Sequence, residues 1–215
     1  MIKTKLLIST ILFLGVATSF AQQKAVISES GKEVILYNDG TWKYVFEDES
    51  GVIKIDTVIQ KKPVKSTLLV KGTKFNYGVW INPAKWSYSK TKESTTVPSE
   101  YSFSLKGEDA YGMIIPERIE IPLDELSNIA FLNAKNNAPD VEIVKKEVRK
   151  INGINVIFMQ MEGTMKGIKF VYLAYYYSFE NGSIQFVVYT SKSLLERYKS
   201  SMTELLNGLV ILNNK

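Results

Sequence analysis

Between Val141 and Ser191 the chain sets out four apolar-rich segments in a row: VEIVKKEVRKI, INVIFMQME, IKFVYLAYYYSF and SIQFVVYTS. Asn152-Gly153, the stretch from Gly163 to Gly167, and Asn181-Gly182 separate them. Asn and Gly tolerate the positive φ of tight hairpin turns, so three such signals in succession predict an antiparallel meander of four strands. A chain committed to that meander must cover its faces with other elements, because adjacent strand residues point to opposite sides.

The rest of the chain offers that cover. Phe75, Tyr77 and Val79 alternate before Asn82-Pro83 ends a strand, Tyr101, Phe103 and Leu105 share one side of a second, and AYGMIIPERIEI supplies a third that ends near Pro116. Pro122 sits at a predicted helix start, with Leu123, Leu126, Ile129, Ala130 and Phe131 or Leu132 at helical spacing, and Asn136, Asn137 and Pro139 stop it. A closing helix carries Leu194, Leu195, Tyr198, Met202, Leu205, Leu206 and Leu209 on one stripe, with Ser193 and Glu196 as a capping box. Strands, helix, four strands, helix is the order of an α+β fold, an antiparallel sheet flanked by helices.

The first residues point to export. Lys3 and Lys5 precede an apolar run from Leu6 to Val16, and Ser19-Phe20-Ala21 puts small residues at both cleavage positions. Residues 1–21 therefore read as a signal peptide, and the mature chain is expected in the periplasm or outside the cell. A membrane anchor would need about 20 apolar residues, and this run is shorter and broken by Ser9 and Thr10, so no transmembrane segment is expected in the mature chain. With no cysteine anywhere, lipid attachment at that site and disulfides are both excluded, and stability has to come from a packed core.

The net charge of +5 falls to +3 once Lys3 and Lys5 leave with the leader, which argues against nucleic acid as a partner. Lys61, Lys62 and Lys65 around Pro63, and Lys145, Lys146, Arg149 and Lys150, read as a solvated linker and the outer face of a strand. The absence of histidine as well as cysteine removes Ser-His-Asp and Cys-His nucleophiles, the usual zinc sites and haem ligation by those residues. Adjacent carboxylates at Glu108-Asp109 and Asp124-Glu125 fit polar turns and helix starts, no phosphate loop occurs, and no oxygen-rich calcium loop is present. No catalytic, metal or cofactor residue is assigned.

Residues 22–46 read as a small β meander: Ala25 to Ser28, Glu33 to Tyr37 and Thr41 to Phe46, turning at Ser30-Gly31 and Asn38-Asp39-Gly40. Gly-Lys-x-Val followed by Asp-Gly-Thr-Trp-x-Tyr resembles a short motif found just after the signal peptides of secreted bacterial proteins, which implies no defined activity. Residues 47–74 read as a linker with one added strand, and 75–215 as the main domain.

In that domain Gly-Val-Trp-Ile-Asn-Pro-Ala-Lys-Trp, from Gly78 to Trp86, resembles the strand-then-Pro-x-x-Trp entrance of the PsbP-like superfamily of sandwiches. The later Ile-Asn-Gly, the Asn181-Gly182 hairpin and the Leu-rich closing helix fall where that superfamily has them, so the resemblance spans about Phe75 to Leu212. That superfamily includes a photosystem accessory subunit, a nuclear import factor and chaperones for secreted effectors. The resemblance implies a binding or accessory role with no catalytic residues to carry over.

The last hairpin has two faces. Pairing centred on Asn181-Gly182 sets Tyr177 opposite Phe186 and Tyr175 opposite Val188, with Leu173, Phe179 and Ile184 on the same core face. Tyr172, Ala174 and Tyr176, with Val187 and Tyr189, occupy the other. Tyrosine joins an apolar body to a polar tip, which suits either a face beneath a second layer or a binding groove. Tyr172, Tyr176, Val187 and Tyr189 are thus the candidate binding face. The expected function is that of an exported, non-enzymatic accessory protein that binds a partner protein. The alternatives are a carrier of a small apolar ligand and a carboxylate-based hydrolase.

Overall fold

The computed structural model describes residues 23–27, 32–36, 42–44, 54–91 and 98–212, with side chains from residue 59 onward. The signal peptide and the turns at Ser30-Gly31 and Asn38-Asp39-Gly40 lie outside the described residues. The chain divides into two compact units, residues 1–47 and 48–215. In the first, β1 (Gln23–Ile27), β2 (Lys32–Leu36) and β3 (Trp42–Tyr44) form an antiparallel meander in sequential order.

The second unit is built on an eight-stranded sheet. Its strands are β4 (Lys54–Gln60), β7 (Trp86–Lys90), β8 (Tyr101–Leu105), β9 (Ala110–Glu117), β10 (Glu142–Ile151), β11 (Ile154–Met165), β12 (Ile168–Phe179) and β13 (Gly182–Ser191). Across the sheet they run β4-β10-β11-β12-β13-β9-β8-β7. All pairs are antiparallel except β4 with β10, so one parallel edge strand makes the sheet mixed. A second sheet, β14-β6-β5, joins β5 (Leu68–Lys71), β6 (Tyr77–Ile81) and β14 (Leu209–Ile211). The stretch expected to be a linker therefore supplies two strands, β4 and β5. Its mixed charges around Pro63 conceal them, since an edge strand need not alternate cleanly.

Two helices lie on opposite faces of the large sheet. Helix α1 (Leu123–Asn137) begins after Pro122, packs on β11 and β12, and buries Leu126, Ser127 and Ala130. Helix α2 (Leu195–Leu206) packs on β12, β13 and β6 and buries Leu195, Tyr198, Met202, Leu205 and Leu206. Beneath α2 the sheet contributes Phe103, Ile114, Leu173, Tyr175, Phe186 and Val188, joined by Tyr77, Val79 and Ile81 of the small sheet.

Four local expectations are corrected. The last hairpin turns on Glu180-Asn181, with Phe179 opposite Gly182, so Tyr175 faces Phe186 and Tyr177 faces Ile184. Moving the turn by one residue moves the register by two and leaves both faces intact. Gly182 is required by close packing rather than by a turn: a Cβ there would lie 2.9 Å from Glu117 O and from the rings of Phe179 and Phe75.

The middle turn is shorter than Gly163 to Gly167. Strand β11 continues through Gly163 to Met165, and Lys166 (φ 50°) with Gly167 (φ 82°) closes a two-residue loop like that of Asn152 (φ 44°) and Gly153 (φ 92°). Positive φ at both positions matches the strand twist.

The capping box does not form. The chain enters α2 through a 3₁₀ turn, Lys192–Leu194, which makes Leu194 the N-cap and leaves Ser193 Oγ 3.2 Å from Ser191 Oγ. Leu209 is not on the helical stripe either. Asn207-Gly208 ends α2, Gly208 O accepts from Trp80 N (2.8 Å), and Leu209 opens β14 beside β6.

Candidate functional site

The candidate face on β12 and β13 is divided by α1. Ala174, Tyr176 and Val187 are buried in the layer between α1 and the sheet, together with Ile157, Met159, Met161 and Phe170. Tyr172 and Tyr189, paired directly across the strands, are only half-buried. Register carries the row one strand further, because β13 pairs with β9 and sets Tyr111 opposite Tyr189. Tyr111 is 38% exposed.

The result is an aromatic ribbon across three strands. Ring centroids are 5.7 Å apart for Tyr111 and Tyr189, 5.8 Å for Tyr189 and Tyr172, and 4.4 Å for Tyr172 and Phe170. The Tyr172–Tyr189 contact is edge to face at 72°, the arrangement favoured by ring quadrupoles. The sequence reading missed Tyr111. Its alternation with Ala110 and Gly112 was visible, but β9 reaches β13 without a local turn to announce the pairing.

These phenols are donors, not nucleophiles. Burial, then the neighbouring Tyr189, pushes up the Tyr172 phenol, and burial raises Tyr189. For Tyr111 the first cause is the hydrogen bond to the Asp109 carboxylate. Each therefore stays protonated at neutral pH and presents an apolar ring edge, with the Tyr111 O–H already donated to Asp109.

The opposite face carries a polar network that the sequence reading took for a solvated strand. Arg149 donates to Glu147 through Nε (2.6 Å), lies 3.5 Å over the Phe158 ring, and reaches Tyr175 Oη at 3.4 Å. Tyr175 in turn donates to Asn207 Oδ1 at 2.7 Å. Burial works to raise the Glu147 pKa, but the hydrogen bonds and charges of Lys145 and Arg149 outweigh it and hold the carboxyl below its usual range. Two of the four expected surface cations thus neutralise one buried carboxylate, which is why they cluster. Lys62, from the other basic group, lies 4.8 Å over the Trp80 ring and donates to Ser66 O.

The carboxylates singled out in sequence are engaged in structure. Glu108 accepts from Arg197 Nη2 (3.0 Å) and from Tyr198, while Asp124 and Glu125 occupy the first turn of α1. Three other carboxylates, Asp140, Glu142 and Glu162, line a shallow pocket of about 140 Å³ with Lys169 and Lys192. Asp140 accepts from Thr164 N (2.9 Å), and that bond lowers its pKa; Glu162 pairs with Lys192 and accepts from Gln160. A general acid needs a raised pKa, so Asp140 is set the wrong way for that role. Among the described residues no cluster of acidic side chains is arranged to hold a metal, and no helix is long and apolar enough to cross a membrane.

No protein-family model matches the chain, and no curated protein does. Solved structures do. Cyanobacterial PsbP (CyanoP) from Synechocystis is 14% identical at a TM-score of 0.51, covering 69% of this chain and 94% of its own. PA94, a Pseudomonas aeruginosa protein of unknown function, is 12% identical at 0.44, covering 68% and 98%. A Bacteroides thetaiotaomicron protein is 10% identical at 0.41, covering 65% and 46%. At such identities the likeness is one of fold, and the chain has a PsbP-like α+β fold.

Proposed function

We infer that this is an exported, non-enzymatic accessory protein whose PsbP-like domain binds a partner protein through the half-open ribbon of Tyr111, Tyr189 and Tyr172. The observation that carries the reading is the ribbon itself: three tyrosines in ring contact across neighbouring strands, left partly open beyond α1. Aromatic side chains with few rotatable bonds dominate protein interfaces because they desolvate a large area at little entropic cost. Partner binding needs no charge, metal or nucleophile.

The test uses the purified protein as bait against the native envelope of the producing cell, beside Tyr111→Ser and Tyr189→Ser. The expected result is one protein retained by the wild type and lost from both variants while both remain folded. Retention by both variants would overturn the assignment of this surface. Export is tested by intact mass of the protein recovered from the envelope or medium, which should begin at Gln22; a full-length cytoplasmic product would refute it.

A further inference from the structure

The layer under α1 has a composition unlike the rest of the core. Met113, Met159, Met161 and Met165 all pack in it or against it, out of six methionines in the chain. Methionine side chains are flexible and polarizable, so a layer rich in them can re-form around an inserted group. At its centre Tyr176 is fully buried, and its hydroxyl has no hydrogen-bond partner among the described residues. An unmet buried hydroxyl is costly, and native structures keep few of them without a use.

Helix α1 covers this layer with Leu126 at its middle and with Leu123, Phe131 and Ala134 only partly buried around it. Of the three buried residues of α1, two are the small Ser127 and Ala130, and Ser127 Oγ donates to the helix's own backbone at Asp124 O. Among the described residues no side chain caps the helix N-terminus. At the rim, Lys146 Nζ is held by the neutral Asn128 Oδ1 at 3.1 Å.

We propose that the methionine layer between α1 and the sheet is a binding site for an uncharged, slender apolar molecule with one hydrogen-bond acceptor, which takes the Tyr176 hydroxyl as its donor while α1 lifts to admit it. A charged head would be buried without a counter-ion at Tyr176, which restricts the ligand to neutral polar groups such as a ketone carbonyl. The site adjoins the tyrosine ribbon at Phe170 and Tyr172, but Tyr111 and Tyr189 lie outside it, so the two readings can fail independently.

The test is a titration of the full chain, ¹³C-labelled at the methionine methyls, with 2-octanone and with octane as its matched control. The ketone should shift Met113, Met159, Met161 and Met165, whereas Met202, buried beneath α2, stays in place as the internal reference. It should bind about fivefold more tightly than octane, the ratio that one net hydrogen bond supplies. Tyr176→Phe should erase that preference. Absent shifts, an equal response at Met202, or a ketone preference that survives Tyr176→Phe would each overturn the proposal. So would a Tyr176→Phe protein that fails to fold, since the hydroxyl would then already be used structurally.

Discussion

The two faces of the large sheet solve the same problem with different materials. Under α2 the core is aromatic and branched, with Trp86, Phe103, Tyr175 and Phe186 almost wholly buried, and its tyrosine hydroxyls are used: Tyr175 on Asn207, Tyr77 on Glu100 at 2.8 Å, Tyr101 on Lys71 O at 2.9 Å. Trp86 Nε1, without a partner among the described residues, is the exception there. Under α1 the layer sets methionine and alanine among Leu126, Ile157, Phe170 and Val187, and its Tyr176 hydroxyl has no partner among the described residues. Side chains with defined rotamers and satisfied polar tips specify one packing, whereas methionine and small residues permit several. The α2 face is thus the rigid frame, and the α1 face is the part of the core free to serve another purpose.

The comparison is most exposed to failure where its effects are largest. Phe186→Ala and Tyr175→Ala remove a cross-strand pair from the α2 face and should each cost about 3 to 5 kcal/mol in urea unfolding. Leu126→Ala, the largest fully buried anchor of α1, should fall at or below the low end of the usual range, about 2 kcal/mol, because the methionines close around the gap. Equal losses on both faces would end the distinction.

The tyrosine hydroxyls give a finer contrast on adjacent residues. Tyr175→Phe strips a donor from Asn207 and an acceptor from Arg149 and should cost about 1 to 2 kcal/mol. Tyr176→Phe should be neutral or stabilising by up to about 1 kcal/mol, because it removes a desolvated group with no partner among the described residues. A matching loss in both variants would show that the second hydroxyl is engaged after all.

Acid should find the α2 face first. Because the Glu147 pKa is lowered in the folded chain, its contribution is whole above the ordinary carboxylate value of about 4.3 and drains away as pH falls through the lowered one. Wild type should lose stability between pH 5 and the acid range more steeply than Glu147→Gln, which is weaker at neutral pH but flatter below it. Parallel pH profiles would remove Glu147 from the account. The smallest effect belongs to the ribbon: Tyr111→Ser should cost about 0.5 to 1 kcal/mol, the worth of one exposed ring pair.

What the sequence disclosed followed from how local each signal is. Four strands of the meander, both helices and the division of the last hairpin into two faces were legible because period and turn residues lie within a few positions of each other. The register was not, since Gly182 is fixed by Glu117, Phe179 and Phe75 rather than by its turn. Nor were β4, which pairs with β10 far along the chain, or Tyr111, whose place beside Tyr189 is set by a non-local pairing. The candidate site was half legible: the tyrosines could be assigned to one face, but which of them α1 hides depends on where a helix lands.

The parallel pairing of β4 with β10 also dictates an order of events. The hairpins from β10 to β13 join neighbours over two-residue turns and can close in microseconds. Strand β4 must wait for a partner that lies beyond β5 to β9 and α1, and loop closure over such a length is slow to repay itself. During that interval β10 presents an unpaired edge, the kind of template on which a second chain can add a strand. Shortening the chain before Lys54 would spare this step, whereas losing β4 would make the open edge permanent and turn a transient hazard of folding into self-association.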